Sequence, residues 1–216
     1  MKTIPPEWMP PAAARRVVVH WTAGAWKASA VDREHYHIMV EDDGDLVRGD
    51  RSIADNDSTA DGRYAAHTRG LNTGSIGIAA CGMAGAIERP FYAGKYPLTR
   101  ATWAALADAV AQLCKRYAIP VTRETVLTHA EVEATLGIAQ AGKWDITHLP
   151  FDLSISGARP VGDLFRGMVL ARLGAPVTPA PRPPQPDDPG APDLSQRAGC
   201  RSVLRNLRES IGRKRG

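Results

Sequence analysis

The sequence predicts an α/β protein, with a mixed central β-sheet flanked by helices in a single domain that carries a C-terminal tail of different character. Three observations point there. Short β-branched runs alternate with a long amphipathic helical pattern, which is the mark of a layered sheet-and-helix domain. Two strand-like runs flank an acidic, glycine-containing turn and read as a hairpin, so at least one pairing is antiparallel. The composition then changes abruptly near residue 176. At 216 residues, 44% of them apolar and 23% charged, the chain has enough apolar material for one sizeable core and is neither polyelectrolyte nor fibrous.

Taken in order, residues 1–14 hold four prolines and Glu7 and read as an N-terminal arm, without the apolar run of a secretory signal peptide. Arg16 to His20 (RVVVH) is a buried strand that ends at the turn formers Thr22, Ala23 and Gly24. His37 to Val40 and Leu46 to Arg48 form the hairpin across Asp42, Asp43 and Gly44. Asp50 to Leu71 is polar, glycine-punctuated and aperiodic, and is expected to be a long functional loop. Ser75 to Cys81 (SIGIAAC) is a second buried strand. Thr99 caps the clearest helix, whose Trp103, Leu106, Ala107, Val110, Leu113, Cys114 and Tyr117 keep helical spacing until Pro120. Val126 to Thr128 reads as a strand end, and a last helix over about Val161 to Leu173 closes a domain spanning residues 15–175. No internal repeat is present.

The segment 176–193 is a proline-rich linker, with eight prolines between Pro176 and Pro192. Beyond it, 194–216 reads as a basic amphipathic helix, with Cys200, Val203, Leu204, Leu207 and Ile211 on one face and arginines on the next. Residues 1–176 hold 19 Lys and Arg against 19 Asp and Glu, so the whole excess of +4 lies in the tail. The main domain therefore gives no electrostatic reason to expect nucleic acid, whereas the tail suits an anionic membrane surface. Cys81, Cys114 and Cys200 are an odd, scattered set that supports neither a disulfide framework nor a cysteine zinc site, as in a reducing compartment.

Two histidines sit where strands meet loops: His20 ends RVVVH, and His129 ends VLTH. Asp145 follows sixteen residues after His129. Two imidazoles and one carboxylate are the protein ligands a hydrolytic zinc site needs, with a fourth position left for water. Strand-terminal histidines also serve simply to cap loops, and spacing alone leaves both readings open.

The ordered blocks VVVHWTAG, HYHIMVEDDGDLVRG, AAHTRGLNTGSIGIAACG, VLTHAEV and GKWD resemble the zinc-dependent N-acetylmuramoyl-L-alanine amidase family, which includes phage endolysins and peptidoglycan recognition proteins. The likeness spans about residues 15–170 and omits the tail. It implies a mixed sheet with packed helices, a Zn2+ cofactor held by His20, His129 and Asp145, and peptidoglycan as the partner. It further implies that Tyr36 hydrogen-bonds the water or the developing oxyanion, that Lys143 stabilises negative charge on the substrate carbonyl, and that Thr22, His67 and Asn72 line the substrate groove. His37 is expected to be structural, and Glu131 to cap the following helix. Many members read SIGIE where this chain has Ala79; the phage branch commonly lacks that glutamate too.

The resemblance thus implies an endolysin-type hydrolase that cuts between N-acetylmuramic acid and L-alanine. It would accumulate in the host bacterial cytoplasm and reach the periplasm and cell wall at lysis. The alternatives are a non-catalytic peptidoglycan binder, which usually lacks a zinc ligand, and a cytoplasmic muropeptide-recycling amidase, which has little use for a basic tail. Some phage members also bind RNA polymerase, a partnership on which the neutral main domain is silent.

Overall fold

The computed structural model describes residues 2–174; the expected linker at 176–193 and basic segment at 194–216 lie outside the described residues. A five-stranded sheet forms the centre, built from β1 (Arg16–Trp21), β2 (Ile38–Val40), β3 (Leu46–Arg48), β4 (Ser75–Ala80) and β5 (Val126–Thr128) in the order β3-β2-β4-β1-β5. β2, β4, β1 and β5 run parallel, and only the edge strand β3 is antiparallel, paired with β2 through the hairpin. Parallel strands are covered on both faces, which is why RVVVHW and SIGIAA read as continuous apolar runs with no polar alternation.

The two faces have different roles. Val17, Val19, Trp21, Ile38, Val40, Ile76, Ile78 and Ala80 point to one side and form the main core with α2 (Arg100–Tyr117) and α4 (Ala158–Arg172). Trp103 of α2 meets Phe165 of α4 there, with ring centroids 4.6 Å apart. Thr99 caps α2 as its position predicts, accepting a hydrogen bond from Thr102 N at 3.1 Å. The arm before β1 is docked on this helix: Ile4 is buried, Gln112 bonds its backbone N–H, and Tyr117 donates to Pro10 O. The alternate residues of the strands, including Val18, His20, Met39, Gly77 and Ala79, face the other way.

Several elements were not evident from periodicity. Helix α1 (Ala30–His35) is six residues long and is held by a reciprocal cap in which Ser29 and Asp32 each accept from the other's backbone N–H. The 50–71 segment is less irregular than expected. It carries a 3-10 turn at Ile53–Asp57, and buried Asn56 donates to the carbonyls of Ala65, Asn72 and Ser75 while accepting from Ala65 N. One side chain with four partners thus replaces a periodic element. A short α3 (Val132–Leu136) follows β5, and α4 begins at Ala158, one turn earlier than its apolar pattern indicated.

Contrary to expectation, Glu131 does not cap the following helix with its side chain but closes the 3-10 turn His129–Glu131 by accepting from Thr128 N at 2.9 Å, and it does more. Its buried carboxylate forms a two-pronged pair with buried Arg166 of α4, at 2.7 and 3.0 Å. A Cβ at Gly162 would lie 2.0 Å from that carboxylate, so only glycine lets α4 approach so closely. The pair therefore ties α4 to the turn that begins at His129. Removing Glu131 leaves Arg166 with only the less buried Asp163, 2.7 Å away, as an acidic partner, and breaking a buried ion pair costs up to about 3–5 kcal/mol. Glu131→Ala should lose about that much in urea denaturation, and Gly162→Ala a large share of it; a loss below about 1 kcal/mol in both would contradict this role.

Candidate metal centre and cavity

Parallel register brings the two strand-end histidines together. β1 pairs with β5 as Val17–Val126, Val18–Leu127 and Val19–Thr128, so the next residue on each strand is a histidine. The rings of His20 and His129 lie 4.6 Å apart, edge to face. The chain then returns: Ala130 N donates to Asp145 O at 2.7 Å, placing the Asp145 carboxylate beside both rings. Asp145 Oδ2 stands 3.1 Å from His20 Nδ1 and 3.1 Å from His129 Nδ1. All three side chains are buried, and their candidate ligand atoms fall within 4.8 Å of one another.

The hydrogens around His20 follow from its neighbours. Ser75 O, which can only accept, lies 3.3 Å from His67 Nε2 and places the hydrogen there. His67 Nδ1 is then an acceptor for the Thr68 hydroxyl at 2.8 Å, and Thr68 Oγ1 accepts from His20 Nε2 at 3.4 Å. This chain leaves His20 Nδ1 bare toward Asp145. His129 Nε2 faces Gln140 Oε1 at 2.9 Å and likewise turns Nδ1 inward. Two imidazole lone pairs and a carboxylate thus meet with no hydrogen between them, an arrangement that a divalent cation satisfies.

Electrostatics favours the metal-ready protonation states. Burial pulls His20 down to about 4, outweighing the upward pull of the adjoining Asp145 carboxylate. His67 is held well below the ordinary histidine value, chiefly by burial and then by the neighbouring His20. Burial pushes Asp145 up, but the adjoining His129 and His20 rings more than offset it and hold the carboxyl at about 2.

The cluster opens on a cavity of about 830 Å³. Tyr36 reaches it from the C-cap of α1, its ring 5.1 Å from that of His20. Burial, then the charges of Asp145 and Asp32, raise its phenol well above the usual value, so it stays a hydrogen-bond donor. Lys143 is exposed on the wall, and the next residue, Trp144, anchors this stretch against Trp21 with centroids 4.8 Å apart. Thr22, His67 and Asn72 also border the cavity. Two of their polar atoms turn into the protein: Thr22 Oγ1 accepts from Gly24 N and Gly82 N, and Asn72 Oδ1 from His67 N and Thr68 N.

His67 is the least expected of these. It is buried against β4, where a Cβ at residue 77 would lie 2.4 Å from its ring, so Gly77 makes its seat. His37 sits behind it, with Nδ1 accepting from Gly77 N at 2.9 Å. Ala79 pairs in register with His20, so this place flanks the cluster and holds only a methyl group. Sequence reasoning missed Thr68, Gly77 and Gln140. Glycine in an otherwise apolar strand, marking a close approach, was the one available signal.

Residues 10–147 match the family described as N-acetylmuramoyl-L-alanine amidase. No curated protein sequence matches significantly. Among solved structures, the chain is similar to the N-acetylmuramoyl-L-alanine amidase LysC from Clostridium intestinale URNW, with a TM-score of 0.43 and 15% identity, covering 78% of this chain and 93% of that one. The Ph2119 endolysin from Thermus scotoductus MAT2119 bacteriophage Ph2119 gives a TM-score of 0.42 and 19% identity, over 76% of this chain and 87% of that one. A structure of tracheal cytotoxin bound to the ectodomain complex of peptidoglycan recognition proteins LCa and LCx gives 0.39 and 20%, over 57% and 75%.

His20 and His37, both lowered to about 4, and His67, also held well below its ordinary value, are neutral when folded and free to protonate near 6.5 when unfolded. The unfolded chain therefore binds more protons on acidification, and stability falls as pH drops from about 6.5 toward 4, by up to about 1.4 kcal/mol per pH unit for each histidine. Urea titrations of the metal-free protein at pH 7, 6 and 5 should show that decline; an unchanged midpoint across the three would contradict it.

Proposed function

The chain belongs to the N-acetylmuramoyl-L-alanine amidase family, and on that premise we propose that it is a zinc-dependent hydrolase of endolysin type. It cleaves the amide between the lactyl group of N-acetylmuramic acid and L-alanine of the peptidoglycan stem peptide. The observation that carries the reading is the convergence of His20 Nδ1, His129 Nδ1 and the Asp145 carboxylate beside a cavity large enough for a sugar-peptide segment. Ala79 in place of the glutamate supports the phage branch.

Zinc, when bound, supplies Lewis acidity, lowering the pKa of water from about 15.7 to about 7 and polarising the scissile carbonyl. The chain's own groups do the rest. Addition of water to the carbonyl carbon moves an electron pair onto the carbonyl oxygen. The Tyr36 hydroxyl, kept protonated by its surroundings, donates to the oxygen that gains this charge. The Lys143 ammonium on the cavity wall adds a second positive partner. Collapse breaks the C–N bond; the lactyl carbon keeps the new oxygen as a carboxyl group, and L-alanine leaves as an amine that takes up a proton. The wall carries Arg69 and Lys143 against Asp145 alone among carboxylates, which suits a stem peptide rich in carboxylates. In the same reading the protein accumulates in the host cytoplasm and reaches the cell wall at lysis, and its basic segment 194–216 meets an anionic membrane surface.

His20→Ala and His129→Ala should each lose stoichiometric zinc together with activity. Lys143→Ala should keep zinc and lose about 100- to 1,000-fold in turnover, the loss typical of one oxyanion partner. Metal analysis and turbidity decay of purified walls, with and without chelator, check both. Full zinc in the two histidine variants would overturn the ligand assignment. Mass spectrometry of the digested muropeptides should show free N-terminal L-alanine beside intact muramic acid; new ends at D-glutamate would overturn the bond assignment.

A further inference from the structure

Gln140 has no assigned role, yet it is 4% exposed and has five polar attachments. Its side-chain nitrogen donates to Arg69 O at 2.9 Å and to Ile138 O at 3.1 Å, two carbonyls that can only accept. Turning the amide over would set its oxygen against both carbonyls, so the orientation is fixed. Its oxygen must therefore face His129 Nε2, and at 2.9 Å it can only accept. The backbone completes the clamp: Gln140 N donates to Glu133 Oε2 at 2.9 Å, and Gln140 O accepts from Lys143 N.

We infer that Gln140 is a positioning residue that locks His129 in the Nε2–H tautomer, keeps its Nδ1 bare toward Asp145, and thereby sets how tightly the centre holds its cation. A hydroxyl at this place would leave the tautomer open, because it can donate or accept. A carboxamide whose nitrogen is already committed to two carbonyls cannot donate to the ring. Because the same nitrogen holds Arg69 O, the ligand histidine is also tied to the cavity wall that Arg69 helps form. The inference rests on the metal reading of His20, His129 and Asp145 and extends it to the residue behind one ligand.

The test uses the full chain, Gln140→Leu and Gln140→Glu. Nitrogen NMR of the histidine rings in metal-free wild type should report His129 as Nε2–H, and the Nδ1–H form should appear in Gln140→Leu. Gln140→Glu keeps an acceptor for the ring, although its second oxygen now faces the Arg69 and Ile138 carbonyls, and should retain the wild-type tautomer. Competition against a chelating dye should show zinc bound about 10- to 100-fold more weakly by Gln140→Leu, the range for losing the partner of a ligand histidine, with Gln140→Glu nearer to wild type. Thermal melts of the metal-free variants separate this from general destabilisation. An Nδ1–H tautomer in wild type, or unchanged zinc affinity in Gln140→Leu, would overturn the inference. A wild-type chain that takes up no zinc would instead overturn the metal reading, with the ring tautomers still deciding the role of Gln140.

Discussion

Three electron-pair donors, two imidazole nitrogens and a carboxylate, are held together in a buried cluster with no hydrogen among them. Left alone, such a group repels itself, and the fold supports it from behind at every point. Thr68, His67 and the Ser75 carbonyl set the hydrogen on one histidine; Gln140 faces the other. Burial removes the competing proton from His20. The arrangement makes chemical sense once a positive ion completes it, and most of the peculiarities of this face of the sheet follow from that need.

The sheet supplies the convergence through register. Parallel β1 and β5 end side by side, so one histidine after each strand is enough to bring two rings together, in the crevice at the carboxyl ends where open α/β sheets place their sites. Missing side chains matter as much as present ones. Gly77 clears the strand surface for the His67 ring, and Gly162 lets α4 close on the Glu131–Arg166 pair beneath the turn that carries His129. The opposite face, with Trp103 and Phe165 between the long helices, provides the rigid backing.

What was legible in the sequence follows the range of the interactions. β1, β4, the hairpin and α2 declared themselves by β-branched runs, an acidic glycine turn and a Thr99 cap ahead of a helical repeat, all local signals. α1 is too short for a period to register, although its Ser29 and Asp32 spacing is a capping signature. Within the site, spacing alone left His20 and His129 as either ligands or loop caps; only the ordered likeness to a family separated the two. His67 was placed on the groove, which it does border, but its seat depends on a glycine ten residues away. Gln140 belongs to no pattern: its importance lies in two carbonyls and one ring nitrogen that chain order does not reveal.

The central claim is that one cation sits where these three electron-pair donors meet. Crystals of the zinc-loaded protein, measured on both sides of the zinc absorption edge, test it most directly. The account predicts a single anomalous peak within bonding distance of His20 Nδ1, His129 Nδ1 and the Asp145 carboxylate. A zinc-loaded crystal with no peak there, or with the metal bound through either Nε2, would contradict it.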